Sequence, residues 1–312
     1  MQYPVFFQGK RGRSRKPPEA ELVAFEQFEQ RGLSGFRVLV MMDCDVLTAT
    51  VAKKVKEFQQ QGGLIVGDER LCPAIKADIV IQSYTRTSKA DQDRAALMAK
   101  AAELRRALDP RYRRYSDSSN PDVVARCRAY GTTDYLFAVN DRREFGDYVG
   151  QHGLVMENGL PAETTLSLAR TKGHVYDLVN GQPVQTLPEE GVRFQRRLGP
   201  CEGAVFMVTD QAIESVRVEA PGEAKLGESL EFRVTVADPD GKAVKAVVPL
   251  RVDIRDPSGR DAEFTGYYGA KDGQLRIRLD FAANDQAGVW QIRARELASR
   301  LAGECYVRVE RR

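Results

Sequence analysis

Asp43-Cys44-Asp45 and Asp68-Glu69 each follow a short apolar run, FRVLVMM at about 36–42 and LIVG at 64–67. Loops after adjacent strands converge at the carboxyl edge of a parallel sheet, so these five residues are the first place to look for chemistry. A cysteine there becomes a nucleophile when a histidine takes its proton, and carboxylates from two loops can hold a hard cation. Neither set is complete. His152 and His174 fall in the following segment, Cys44 lacks the Gly-x-Cys-x-Gly surroundings of a nucleophile elbow, and two acidic pairs are a sparse cation signature. The plainer role is structural: Asp43 or Asp45 shapes the loop into a helix beginning near Thr48, where a carboxylate also meets a favourable dipole end. The five residues stand as a candidate ligand or metal loop, with no catalytic residue, metal ligand or cofactor assigned.

Other motifs invite weaker readings. Gly62-Gly63 lies between a helix and the next strand, the reverse of a nucleotide-binding fingerprint, and reads as a helix cap and turn. Gly67-Asp68-Glu69 is correctly placed for a ligand loop but lacks the remaining glycines. Cys44, Cys72, Cys127, Cys201 and Cys305 form no close pair, which disfavours a zinc ribbon or a disulfide framework. The basic stretches Lys10–Lys16 and Arg111–Arg114 read as solvated surface or as an interface between domains. Tyr267, Tyr268 and Trp290 are candidate carbohydrate contacts, because aromatic rings on a flat β face can stack on sugars. Strand alternation offers the alternative that Trp290, with Ile292 on the same face, belongs to a core. His174 and Tyr176 share a strand face and need do no more than pack or hydrogen-bond, and His152 has no identifiable partner.

The elements that must position these residues divide the chain. Its 312 residues suit two or three compact units. With 42% apolar and 29% charged residues and a net charge of +3, it reads as an ordinary globular protein without the field that steers binding to a phosphate backbone. Nucleic acid is not an expected partner. Apolar runs are broken well short of twenty residues, and the polar, basic part of the N-terminus follows its apolar run, the wrong order for a signal peptide. A soluble chain with no membrane partner is expected.

Apolar runs at about 3–7, 36–42, 64–67 and 78–82 read as strands buried on both faces, separated by helical spacing. PPEAELVAFEQFEQRG places Leu22, Phe25 and Phe28 on one helical face, and Thr48 caps a second helix with Val51, Val55 and Phe58 as its stripe. This predicts a small flavodoxin-like open parallel sheet. After a long polar helix ending near Asp109-Pro110, turn-separated strands follow one another to the end, with strong turns at Asp238-Pro-Asp-Gly241 and Asp256-Pro-Ser-Gly259. The expected fold class is α/β followed by all-β: an α/β domain at 1–115 with a preceding basic segment, an antiparallel β-sandwich at 116–210 and a second sandwich at 211–312.

The stretch from AFEQFEQRG through QQQGGLIVGDE resembles the glutamine-amidotransferase-like, or trimerisation, domain that follows the catalytic barrel in bacterial β-galactosidases and related glycoside hydrolases. TTDYLFAVNDRREFGDYVG and GHVYDLVNGQPV resemble the small β-sandwich those enzymes carry next, and together the likeness spans roughly residues 20–208. The last hundred residues, through IESVRVEAPGEAKLGESLEFRVTVADPDGKAV and AGVWQIRARE, resemble an immunoglobulin-like or macroglobulin-type sandwich. The hydrolases take their catalytic glutamates from the barrel, and no residue here matches either. The resemblance therefore implies a non-catalytic, multidomain part of a carbohydrate-active protein, a homo-oligomer of trimeric type, carbohydrate as a partner, and export or a cell-envelope location. The first alternative is a carbohydrate-binding protein that uses a β-sandwich surface, and an amidotransferase-like enzyme built on Cys44 is the second.

Overall fold

The computed structural model describes residues 5–8, 20–22, 33, 36–87, 89–150, 153–188 and 191–311. It is mostly β-strand, with several sheets and few helices. The chain divides into two compact units, the first comprising Met1–Asp117, Asn140–Ala162 and Gly199–Cys201, the second Ser118–Val139, Glu163–Leu198 and Glu202–Arg312.

In the first unit, strands β1 (Val5–Gln8), β2 (Ala20–Leu22), β3 (Phe36–Met41), β4 (Leu64–Gly67) and β5 (Ile79–Val80) form one sheet in the order β2-β1-β3-β4-β5. Strands β3, β4 and β5 are parallel, with Val38 opposite Leu64 and Val66 opposite Ile79. β1, expected among the strands of that open parallel sheet, runs antiparallel to both β2 and β3. An apolar run such as YPVFF carries no mark of direction. Ala20–Leu22, expected as the first turn of a helix, instead pair as a strand, and the rest of that expected helix, at 23–32, lies outside the described residues.

Helix α1 (Ala49–Gln60) begins where the Thr48 hydroxyl accepts from the Val51 N–H at 3.3 Å. It ends at Gly62, whose φ of 86° suits glycine, and at Gly63, where a Cβ would lie 2.3 Å from the Phe58 ring. Its Val51, Val55 and Phe58 pack with Leu39, Met41 and Ile65 on one sheet face. Val38, Val40, Val66, Ile79 and Ile81 form the opposite face with Leu104 and Leu108 of helix α2 (Ala90–Leu108) and with Tyr112. Both faces of the parallel strands are thus covered, as their apolar runs require.

The first unit also includes the antiparallel pair β9 (Arg143–Gly150) and β10 (Gly153–Gly159). The second unit takes in the last residue of β6 (Ser116–Ser118), β7 (Val123–Tyr130), β8 (Thr133–Asn140) as far as Val139, β11 (Ala162–Leu168) from Glu163, β12 (His174–Asp177), β13 (Gln182–Val184), β14 (Val192–Leu198) and β15 (Gly203–Thr209). These make a three-stranded sheet β14-β11-β6 and a five-stranded sheet β13-β12-β15-β8-β7. Leu136, Leu166, Phe194 and Phe206 are fully buried, the two phenylalanine rings meeting edge to face at 4.8 Å.

Then follow β16 (Ser215–Glu219), β17 (Glu223–Lys225), β18 (Ser229–Ala237), β19 (Val248–Arg255), β20 (Gly266–Ala270), β21 (Gln274–Asp280), β22 (Gly288–Glu296) and β23 (Ala302–Glu310). They form sheets β16-β18-β21 and β17-β23-β22-β19-β20. Their core is continuous with Tyr176, Met207 and Ile213 of the preceding strands and linker. The buried Tyr176 hydroxyl accepts from the Ile213 N–H at 2.7 Å, and the Thr132 hydroxyl donates to the Lys245 carbonyl at 2.7 Å, so strands before and after Asp210 build one unit. Both Asp-Pro turns form as their sequences dictate: Asp238 accepts from Asp240 and Lys242 N–H groups, and Asp256 from those of Ser258 and Arg260.

Gly303 of β23 permits a close approach of β16 in the other sheet. A Cβ there would sit 2.1 Å from the Val216 carbonyl oxygen, a backbone atom that cannot rotate aside. Gly303→Ala is expected to destabilise the second unit by about 2–3 kcal/mol, read as a lower denaturant midpoint at unchanged slope.

Candidate functional site

The loops after β3, β4 and β5 do converge at the carboxyl edge of the parallel strands. Asp43 adopts a φ of 55°, and its N–H donates to Asp68 Oδ2 at 2.7 Å. Asp68 is 4% exposed, and its other oxygen accepts from the Arg70 N–H at 3.1 Å. The Arg70 guanidinium returns to Asp43 Oδ1 at 3.3 Å, and the Cys72 N–H donates to the Cys44 carbonyl at 2.8 Å. Glu69 reaches the third loop, accepting from the Ser83 N–H at 2.9 Å and from the Ser83 hydroxyl. Asp45 is exposed and joins none of these bonds among the described residues. Beside this edge lies a cavity of about 350 Å³ lined by Met42, Arg70, Ile81, Ser83, Leu97 and Lys100 among others.

This geometry makes the acids loop clamps. Both oxygens of Asp68 are engaged by backbone N–H groups, so it ties the loop after β3 to the loop after β4. Glu69 is held well below the usual carboxylate range, at about 2, chiefly by the Ser83 hydroxyl and then by the Ser83 N–H. Cys44 is buried, its thiol donates to the Met42 carbonyl at 3.6 Å, and its pKa is pushed up to about 11 by burial first and then by Asp68, Asp43 and Asp45. A nucleophilic cysteine needs the opposite environment. His174 belongs to the second unit, and His152 lies outside the described residues. Among the described residues no three His, Cys, Asp or Glu side chains are placed to hold a metal ion.

Asp93, which the sequence reading passed over, completes the edge. Almost wholly buried, it accepts from the Tyr84 hydroxyl at 2.9 Å, the Thr87 N–H at 2.7 Å and the Thr87 hydroxyl at 2.9 Å, fastening the loop after β5 to the first turn of α2. The only sequence signal was an acid in a helix's first turn. Of the basic stretches, Arg114 is ion-paired to Asp109, while 10–16 lies outside the described residues.

The three aromatic candidates do not share a surface. Trp290 is 4% exposed, donates its indole N–H to the Gln286 carbonyl at 2.9 Å and meets Phe281 edge to face at 5.1 Å, so it is a core residue. Tyr268 is half-buried against the same core and donates to the Phe264 carbonyl at 2.7 Å. Tyr267 alone of the three presents its ring to solvent, at 74% exposure, with the Arg251 guanidinium 4.9 Å from its centroid. Adjacent residues on a strand face opposite ways, which separates the two tyrosines.

No protein-family model matches this chain, and no curated protein matches it. Among solved structures, 31% of the chain is similar to 86% of a CARDB domain from Pyrococcus furiosus in complex with di-metal ions, at 20% identity and a TM-score of 0.22. A superoxide reductase (neelaredoxin) from Ignicoccus hospitalis is matched over 31% of this chain and 82% of that one, at 14% identity and a TM-score of 0.24. The PKD domain of an M14-like peptidase from a Thermoplasmatales archaeon is matched over 31% and 98%, at 17% identity and a TM-score of 0.22. Likenesses this slight assign neither a family nor a function. Among the described residues no helix is long and apolar enough to cross a membrane.

Two measurements check the reading of this edge. Cys44 is expected to alkylate at pH 8 about two orders of magnitude more slowly than an ordinary thiol of pKa ~8.5, followed by mass spectrometry of its peptide. Because the folded pKa of Glu69 is depressed, its contribution to stability is present above the unfolded value of about 4.3 and is lost as pH falls toward about 2. Ser83→Ala, which removes the hydroxyl and keeps the N–H, should raise the Glu69 midpoint part of the way toward ~4.3 in a carbon-13 NMR titration and reduce that acid-range contribution.

Proposed function

We propose that this chain is a non-catalytic scaffold and assembly region of a carbohydrate-active protein, its first unit providing a homo-oligomeric interface. The observation that carries this reading is the state of the carboxyl edge, where Asp68 and Glu69 are engaged by loop N–H groups and the Cys44 thiol is buried and raised to about 11. Those are properties of groups that fix a fold, at the position where an enzyme of this architecture would work. The resemblance to the trimerisation domain of β-galactosidase-like hydrolases supplies the biological setting and the trimeric expectation. It also supplies the finer architecture, a flavodoxin-like sheet over 1–115 followed by sandwiches over 116–210 and 211–312, the last immunoglobulin-like, and an exported or cell-envelope location. The first unit offers exposed apolar side chains suited to a subunit contact, Val46 at 78% and Val80 at 59% exposure, the latter on the two-residue edge strand β5.

The full chain is expected to release no chromophore from a broad panel of aryl glycosides and to hydrolyse no glutamine, with Cys44→Ser indistinguishable from the parent. Light scattering should give the molar mass of an oligomer, reduced toward that of one chain by Val80→Arg. Turnover abolished by a substitution within this chain would defeat the non-catalytic assignment, and a monomer at every concentration would defeat the assembly role.

A further inference from the structure

The outer face of the sheet β17-β23-β22-β19-β20 carries one rung that its own packing does not explain. Tyr267 of β20 lies directly opposite Arg251 of β19, and Arg251 directly opposite Arg295 of β22. Like charges directly opposed across an antiparallel pair are destabilising, because their Cβ atoms are only about 5 Å apart. Arg251 is partly compensated, its Nε donating to Asp253 at 2.8 Å. Arg295 is exposed and makes no ion pair or side-chain hydrogen bond among the described residues. The neighbouring rung is balanced, with Arg293 between Asp253 and Glu304. Arg276 opposite Arg233 repeats the opposition on the other sheet, so what sets this rung apart is the adjoining aromatic ring, covered on one side by Arg251 and 74% exposed.

From this juxtaposition we propose that the Tyr267–Arg251–Arg295 rung is a contact site for an acidic polysaccharide whose sugar rings carry carboxylates, a uronate polymer. A pyranose uronate offers an apolar C–H face beside a carboxylate. Tyr267 takes the former, and the paired guanidiniums take the latter through charge-assisted, fork-like hydrogen bonds. Three adjacent strands span about 10 Å, enough for a sugar and its neighbour to lie across the rung. A phosphate backbone is the poorer match, because Asp253 and Glu304 on the next rung interrupt the positive field that a continuous polyanion would follow. The site owes nothing to the scaffold reading, and its test has a separate readout.

The experiment titrates the full chain with sodium polygalacturonate, neutral dextran and single-stranded DNA at fixed ionic strength. Polygalacturonate is expected to bind and dextran not. Arg295→Gln and Tyr267→Ala should each weaken polygalacturonate binding about tenfold, while Arg276→Gln on β21 of the other sheet leaves it unchanged. Arg295→Gln should also hold or raise the thermal midpoint, since it removes a like-charge opposition. The proposal is overturned by polygalacturonate binding no tighter than dextran, by equal losses in the Arg295 and Arg276 variants, by tighter binding of DNA, or by a lowered thermal midpoint for Arg295→Gln. Molar mass, the readout for assembly, is not expected to change with any of these variants.

Discussion

A folded loop must find partners for its backbone N–H groups wherever water is excluded, and this protein meets that demand repeatedly with buried carboxylates. Asp68 binds the N–H groups of Asp43 and Arg70, Asp177 those of Val179 and Asn180, and Glu296 those of Ala298, Ser299 and Leu301. Asp177 and Glu296 are wholly buried, and Asp68 nearly so. A carboxylate can be held in such a place because several N–H dipoles replace its water, each charge-assisted bond contributing roughly 1.5–3 kcal/mol. The same bonds fix where each loop runs, because every N–H that reaches the carboxylate is held at a set position. Acidic residues near strand ends, the pattern that first suggests catalysis, here set the course of the chain.

That constraint explains which parts of the site were legible in the sequence. The convergence of the Asp43 and Asp68 loops followed from strand order, because parallel neighbours must bring their carboxyl ends together. What Asp68 does there was not legible, since its partners are backbone groups of residues 43 and 70, and an N–H has the same appearance in every sequence. Asp93 was missed for the same reason. In the second unit Arg170 is almost wholly buried, binding Asp134 at 2.7 Å and Asp210 at 2.5 Å, and nothing in TLSLAR distinguishes it from a solvated arginine. Removing one partner would strand a buried charge, which makes such a cluster costly to disturb whatever its net contribution to stability.

For the fold, periodicity revealed strands and faces but neither direction nor neighbours. Alternation correctly placed Trp290 and Ile292 on one face of β22, and both are buried. It could not say that β1 would pair antiparallel with β3, because a strand apolar on both faces has the same pattern in either orientation. Nor could it mark Gly303, whose missing side chain matters only because Val216 of a different sheet approaches it. Contacts between sheets are set by the sum of the packing and leave no local sequence signature.

The two ways of covering a sheet also decide where polar chemistry remains on the surface. Parallel strands β3–β5 are enclosed by helices on both faces, so their polar groups gather at the strand ends, where loop N–H groups engage them. The strands of the second unit keep one face dry and leave the other to water, so every second residue is free to carry charge without a folding role. On several outer-face rungs opposite charges or amides face each other, as Arg293 faces Asp253 and Glu304, and as Gln291 faces Tyr306 and bonds to it at 3.4 Å. Pairing of that kind accounts for its own residues through cross-strand attraction. Arg295 opposite Arg251 is the reverse arrangement, as is Arg276 opposite Arg233, and only the first of these rungs adjoins an exposed aromatic ring. It is the exposed Tyr267 ring beside Arg295, which makes no ion pair or side-chain hydrogen bond among the described residues, that gives this rung both an apolar face and a free charge to offer a ligand.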